Sequence, residues 1–157
     1  MADYTFQPRF VLPIELGLKQ QTIRRYKTHL LGGDGLKGHA KVGGPIGLKT
    51  GPRFRPRYIG HATAVLVDHV LLEFAHGRRT LFGHMGTDIA TAAADLDRFA
   101  VLDGFGDWHD MRAFWRVTHE VDTFQGARIF WGDTFKGPLD HPPGHLAGPQ
   151  LPQEIEP

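Results

Sequence analysis

Gly17-Leu18-Lys19-Gln20-Gln21-Thr22-Ile23-Arg24 places a lysine, a threonine and an arginine at spacings of three and two behind a glycine. If Gln21 to Arg24 is extended, Thr22 and Arg24 project to the same face, because side chains alternate along a strand. Lys19 then sits in the turn that feeds the strand, and its ammonium swings over that face. A hydroxyl flanked by two cations attracts anions or becomes an activated nucleophile. The same residues also suit an ordinary basic surface turn, since short motifs recur by chance.

Working outward, Tyr4 to Phe10 reads as a strand. A short helix containing Pro13 follows, and Gly17 ends it. Lys27 to Gly38 is basic, then glycine-rich, and reads as a mobile loop. Ile46 to Lys49 is a short strand between Gly and Pro punctuation. Arg53-Phe54-Arg55-Pro56-Arg57 alternates cation with ring or proline and reads as extended. Tyr58 to Phe74 has the Val and Leu content of two strands. Gly77 to Gly86 is a turn-rich connection that leaves room for a strand at Thr80 to Phe82.

Two helices come next. Asp88 to Ala100 carries Ile89, Ala92, Ala93, Leu96 and Phe99 on one stripe. Asp107 is placed to cap a helix from Trp108 to about Thr118, with Trp108, Met111, Phe114 and Trp115 on its apolar face. Val121 to Thr123 is a linker, and Ala127 to Trp131 an apolar strand. From Lys136 onward six prolines and several glycines leave too few large apolar residues for a core. The expected division is a domain over 1–135 and a Pro/Gly/His-rich tail over 136–157.

The chain has 157 residues and a net charge of +1, a length that suits one domain. The small net charge hides an asymmetry. Residues 1–60 hold eleven Lys and Arg against three acids, and residues 61–157 hold seven against fourteen. A basic half suggests a phosphate-bearing partner; interleaving of the halves in the fold would neutralise it. There is no cysteine, so there is no disulfide framework and no cysteine-based zinc site. Met1-Ala2-Asp3-Tyr4 carries no basic region followed by an apolar run, so no signal peptide is expected. The apolar stretch Ala62 to Ala75 is broken by Asp68, His69 and Glu73, and is too short and polar to span a bilayer. A cytoplasmic protein with no membrane partner is expected. Ten histidines invite a metal reading, but Pro142 and Pro143 split His141 from His145, and no His-x-x-x-His has helical context. Neither a metal nor another cofactor is expected.

The glycine, lysine, threonine and arginine of the first motif resemble the signature of the ASCH superfamily, small domains related to the PUA RNA-binding fold. Their hallmark is G-x-K-x-x-E/T-x-R. His39-Ala40-Lys41-Val42-Gly43-Gly44 is similar to the family's H-A-x-x-G-D turn, which precedes a strand, here Pro45 to Thr50. Thr50-Gly51-Pro52-Arg53, Tyr58-Ile59-Gly60 and Leu102-Asp103-Gly104-Phe105 with Trp108 resemble phage and prophage members. The likeness runs from about Phe6 to Trp131. It implies an α+β fold, a PUA-like small mixed β-barrel with two or three helices packed against it.

Some bacterial ASCH members are amidohydrolases that deacylate N-acylated cytidine. The resemblance implies Thr22 as nucleophile, Lys19 as the group taking its proton, and Asp103 as third member, where the hydrolases carry Glu. A neutral Lys19 requires a pKa well below its usual value, by burial or by Arg24; a tight partnership with Asp103 opposes that. The competing expectation is a binding module for RNA or a nucleotide or nucleoside, or a ribonuclease of the same family. Arg24, Arg25, Lys27, Arg53, Arg55 and Arg57 would track phosphates, with Phe54, Tyr58 or Tyr26 stacking on a base.

Overall fold

The computed structural model describes residues 1–27 and 35–138. Its described strands form two sheets. The smaller joins β1 (Ala2–Phe6), β3 (Pro45–Thr50) and β4 (Arg57–Thr63), with β1 parallel to β3 and β3 antiparallel to β4. The larger is antiparallel, in the order β2 (Gln21–Arg24), β8 (Thr123–Phe130), β5 (Leu66–Glu73), β6 (Arg78–Gly83) and β7 (Gly86–Ala90). Three α-helices accompany them: α1 (Val11–Glu15), α2 (Ala93–Leu102) and α3 (Trp108–His119). The α+β class therefore holds, whereas no closed ring of hydrogen-bonded strands forms among the described residues. No helix there is long and apolar enough to cross a membrane.

The sheets meet over a shared core. Trp131, Ile14, Ile46, Leu48, Ile59, Val70 and Ile129 are fully enclosed, and Phe6 meets Trp131 edge-on at 6.3 Å. A bridge from His61 in β4 to Lys136 adds a second tie, with His61 N donating to Lys136 O at 2.9 Å. Gly60 makes this possible, because a Cβ there would collide with the Lys136 carbonyl. Lys136 thus belongs to the packed body rather than to a tail. The remainder of the expected tail, from residue 139 on and including His141 and His145, lies outside the described residues. So does 28–34, most of the expected Lys27–Gly38 loop.

Several expectations shift. The opening strand stops at Phe6, because Pro8 has no N–H for a ladder and starts a 3-10 turn over Pro8–Phe10. Asp88 and Ile89 belong to β7 and not to a helix. The turn at Gly83–Gly86 folds the chain back on β6, and α2 starts only at Ala93. Ile89 is accordingly exposed, while Leu96, Phe99 and Ala100 are the buried stripe. Arg53 to Arg55 form a turn, closed by Arg55 N on Pro52 O at 3.0 Å, and extended backbone starts only at Arg57. The connection after Gly77 is a full strand. The final strand begins at Thr123, earlier than Ala127, because β5 offers partners along its whole length. The Asp107 cap is present, its Oδ1 accepting from Asp110 N at 2.8 Å, and Met111 and Trp115 are buried as the helical spacing requires.

Candidate functional site

Lys19 is positioned by the end of α1. Pro13 has a carbonyl but no N–H, and that carbonyl accepts from the N–H groups of Leu18 and Lys19 at 2.9 and 3.0 Å, while Gly17 takes φ +77°. The next residue ties the turn to two distant elements. Gln20 N donates to Leu102 O at the end of α2, and Gln20 O accepts from Trp131 N, both at 2.8 Å. The Lys19 ammonium is thereby aimed at Asp103. It donates to the Asp103 backbone carbonyl at 2.5 Å and lies 3.4 Å from Oδ1. Gly104 permits the approach. Its φ is +95°, and a Cβ there would stand 2.9 Å from Lys19 Cδ and 2.8 Å from the Phe10 ring.

On β2, Thr22 and Arg24 share a face. Arg24 Nε donates to Thr22 Oγ1 at 2.9 Å and Nη2 to Thr5 O at 2.9 Å. The Arg24 guanidinium lies over Phe6 and Tyr4, at 4.8 and 5.3 Å from the ring centroids, and Lys19 Nζ is 4.8 Å from that of Phe10. Lys19, Thr22, Arg24 and Asp103 line one cleft of about 540 Å³, with Arg25, Lys27, Tyr4 and His39 also on its walls. Phe105, Phe114, Trp115, Thr118, His119 and Phe124 line it too. Lys19, Thr22 and Asp103 form its nearly solvent-free floor, at 3, 4 and 4% exposure. Loop, strand and helix end converge there, and little solvent fits between them.

Burial sets the electrostatics of this floor. It holds the Lys19 pKa down to about 8 against the pull of Asp103, with Arg24 adding to the decrease. It raises Asp103 to about 6 against the stabilising charges of Lys19, Arg24 and Arg128. At neutral pH the pair is ionic, but a neutral lysine lies only about 1 pH unit away. Among the described residues no hydrogen bond joins Lys19 to Thr22; each is held by another partner.

The remaining expected site residues divide. Arg25 and Lys27 line the cleft. Arg53, Arg55, Arg57 and Tyr58 do not. The three arginines are exposed at the β3–β4 turn, and Tyr58 is half-buried on β4 with Lys49 Nζ 5.9 Å from its ring. Sequence reasoning missed Tyr4, His39 and His119. His39 Nε2 faces Arg25 O at 2.8 Å, and a carbonyl only accepts, so Nε2 carries the proton. Nδ1 is then the acceptor for the Tyr4 hydroxyl at 3.1 Å, and that oxygen accepts from Ala40 N at 3.0 Å. His39 was visible inside the His39-Ala40 turn; Tyr4 and His119 carried no local signal. Behind the floor, Arg128 grips Asp68 through two bonds of 2.9 and 3.0 Å and donates to Gln21 Oε1 at 3.2 Å. No group of three His, Cys, Asp or Glu among the described residues is placed to hold a metal ion. Comparison with protein-family models, curated proteins and solved structures finds no match to this chain.

Proposed function

We propose that this chain is an ASCH-type, PUA-like domain whose two sheets are halves of an open barrel, and that its cleft binds a nucleoside or nucleotide and hydrolyses an exocyclic amide on a cytosine-type base. The observation that carries this reading is the buried Lys19, held near pH 8, on one cleft floor with Thr22 and Asp103. The aromatic residues Phe6, Phe10, Phe105 and Phe114 on the walls suit a planar base.

The chemistry balances with these groups alone. Neutral Lys19 takes the Thr22 hydroxyl proton as Oγ1 attacks the acyl carbonyl carbon. Arg24, already bonded to Oγ1, stabilises the oxyanion. Collapse breaks the C–N bond, and the amine leaves with the proton returned from Lys19. Water then attacks the acyl–Thr22 ester with Lys19 again as base, releasing a carboxylic acid and restoring Thr22. Asp103 holds Lys19 in place. The test follows release of acid from a panel of N4-acylated cytidines. Wild type should turn over at least one, with Thr22→Val and Lys19→Met silent. Turnover that survives Thr22→Val overturns the assignment, as does a silent wild type.

One observation favours a second reading. The Lys19 bonds go to the backbone carbonyl and carboxylate of Asp103, not to Thr22, as for a lysine with a structural role. The cleft would then hold a nucleotide or an RNA base without cleaving an amide, and the exposed arginine turn would hold neighbouring phosphates. RNA binding with no turnover is the result that selects it.

A further inference from the structure

His119 takes no part in the chemistry above. It is the last residue of α3, and its ring lines the cleft against Trp115 and Phe114, with centroids 4.4 and 6.0 Å away. Neither of its nitrogens has a hydrogen-bond partner among the described residues, whereas both nitrogens of His39 are engaged. The backbone is strained beside it. Glu120, the one non-glycine residue with positive φ among the described residues, takes φ 56° to end the helix there.

The surroundings of this imidazole are cationic. Burial lowers the His119 pKa, and the guanidiniums of Arg25 and Arg24 lower it further. Lys27, Tyr4 and His39 line the same cleft, and the Lys19–Asp103 pair at the floor balances itself. Asp3, also on the wall, is committed to Lys49 at 3.1 Å. Arg24, Arg25 and Lys27 therefore have no carboxylate partner among the described residues. Arg24 donates through Nε and Nη2, and among the described residues its Nη1 has no acceptor. Two guanidiniums with no ion-pair partner among the described residues, on the same cleft wall as an imidazole with no hydrogen bond there, form a receptor for a compact dianion.

We propose that Arg24, Arg25 and His119 form a phosphate subsite at the wall of the cleft, so that the ligand is a nucleotide bearing a phosphomonoester and not a bare nucleoside. The base end of that ligand rests on the function proposed above; the phosphate end stands on the cations themselves. A volume near 540 Å³ is in the range of clefts that take a molecule of mononucleotide size. Arg24 bonds to Thr22 at the floor, and it lines the same cleft as His119, whose charged form it disfavours.

Linkage supplies the test. A dianion that neutralises the two arginines must raise the His119 pKa, and His119⁺ must in turn tighten the dianion by the same factor. Sulfate is a suitable probe because it keeps both charges across the range. Following His119 by NMR, sulfate should shift its titration upward by roughly 1 unit, equivalent to about tenfold tighter sulfate at pH 5 than at pH 8. Asp103 and Lys19 titrate in the same window, so His119→Gln is the control: it should remove most of that pH dependence, and Arg25→Gln should weaken sulfate at both pH values. Cytidine 5′-monophosphate should shift His119 as sulfate does, and cytidine should not. Saturating sulfate that leaves His119 unmoved overturns the proposal, as does an unchanged pH dependence in His119→Gln. Thr22-dependent deacylation without any sulfate effect would retain the hydrolase and discard the subsite. A sulfate effect without deacylation would do the reverse.

Discussion

Lys19 and Asp103 impose opposite demands on stability. In the folded state Lys19 titrates below its usual value of 10.5, so between about pH 8 and 10.5 the unfolded chain binds more protons and stability rises with pH. Asp103 is raised from 3.8 to about 6, so between those values the folded chain binds more protons and stability falls as pH rises. Both charged forms coexist most expensively between them. Lys19→Met should therefore destabilise by about 3–5 kcal/mol at pH 7, where both groups are charged and Asp103 loses its partner. The loss should shrink at pH 5, where Asp103 takes a proton. Urea melts at the two pH values check this, and equal losses would show that the carboxylate has another partner. A second expectation concerns reach. Oδ1 lies 3.4 Å from Nζ, long for a charge-assisted bond. Asp103→Glu, with one more methylene, should keep or raise kcat/KM for an acylated cytidine; a complete loss would mean the floor has no room for it.

At the scale of elements, α3 carries the far wall of the cleft and depends on its first turn. Asp107→Ala removes the bond to Asp110 N and should cost about 1 kcal/mol, read as a lower Tm with unchanged far-ultraviolet dichroism. Met111 is fully buried, so Met111→Ala should cost about 2–5 kcal/mol. If both leave Tm unchanged, the helix packs through another face. This helix was legible because cap and apolar spacing agreed over three turns. The start of α2 was not. Alanines at Ala92 and Ala93 extend a helical stripe toward Ile89 on paper, yet the Gly83–Gly86 reversal delivers Thr87, Asp88 and Ile89 to β6 first. Strand pairing with a remote partner overrode local propensity there. The same contrast runs through the site. Lys19, Thr22 and Arg24 could be read because one strand's alternation places them. Tyr4 meets His39 from 35 residues away, and α3 brings His119 to a cleft that no local period reveals.

Across the whole molecule the basic and acidic halves do interleave. Arg9 pairs Asp110 at 2.8 Å, and Lys19 pairs Asp103. Some uncompensated charge remains, with Arg53, Arg55 and Arg57 exposed around Phe54, itself 88% accessible, and unpaired among the described residues. If this turn binds phosphates, replacing the three arginines by alanine should weaken single-stranded RNA binding and reduce the slope of log affinity against log salt by about 2, at roughly 0.7 for each phosphate no longer neutralised. Fluorescence anisotropy at several salt concentrations measures it. Binding that ignores ionic strength would assign the turn another role.

The pairing of β2 with β8 has a consequence for how the protein is made. Gln21 lies opposite Phe130, more than a hundred residues later, and among the described residues no other strand borders β2. On a ribosome adding about 5–20 residues per second, β2 waits on the order of 5–20 s for that partner. Until then Thr22 lacks its partner strand, whereas Phe6, Phe10 and Asp103, which enclose Lys19, are already made. The two sides of the cleft floor are therefore completed at different times in synthesis.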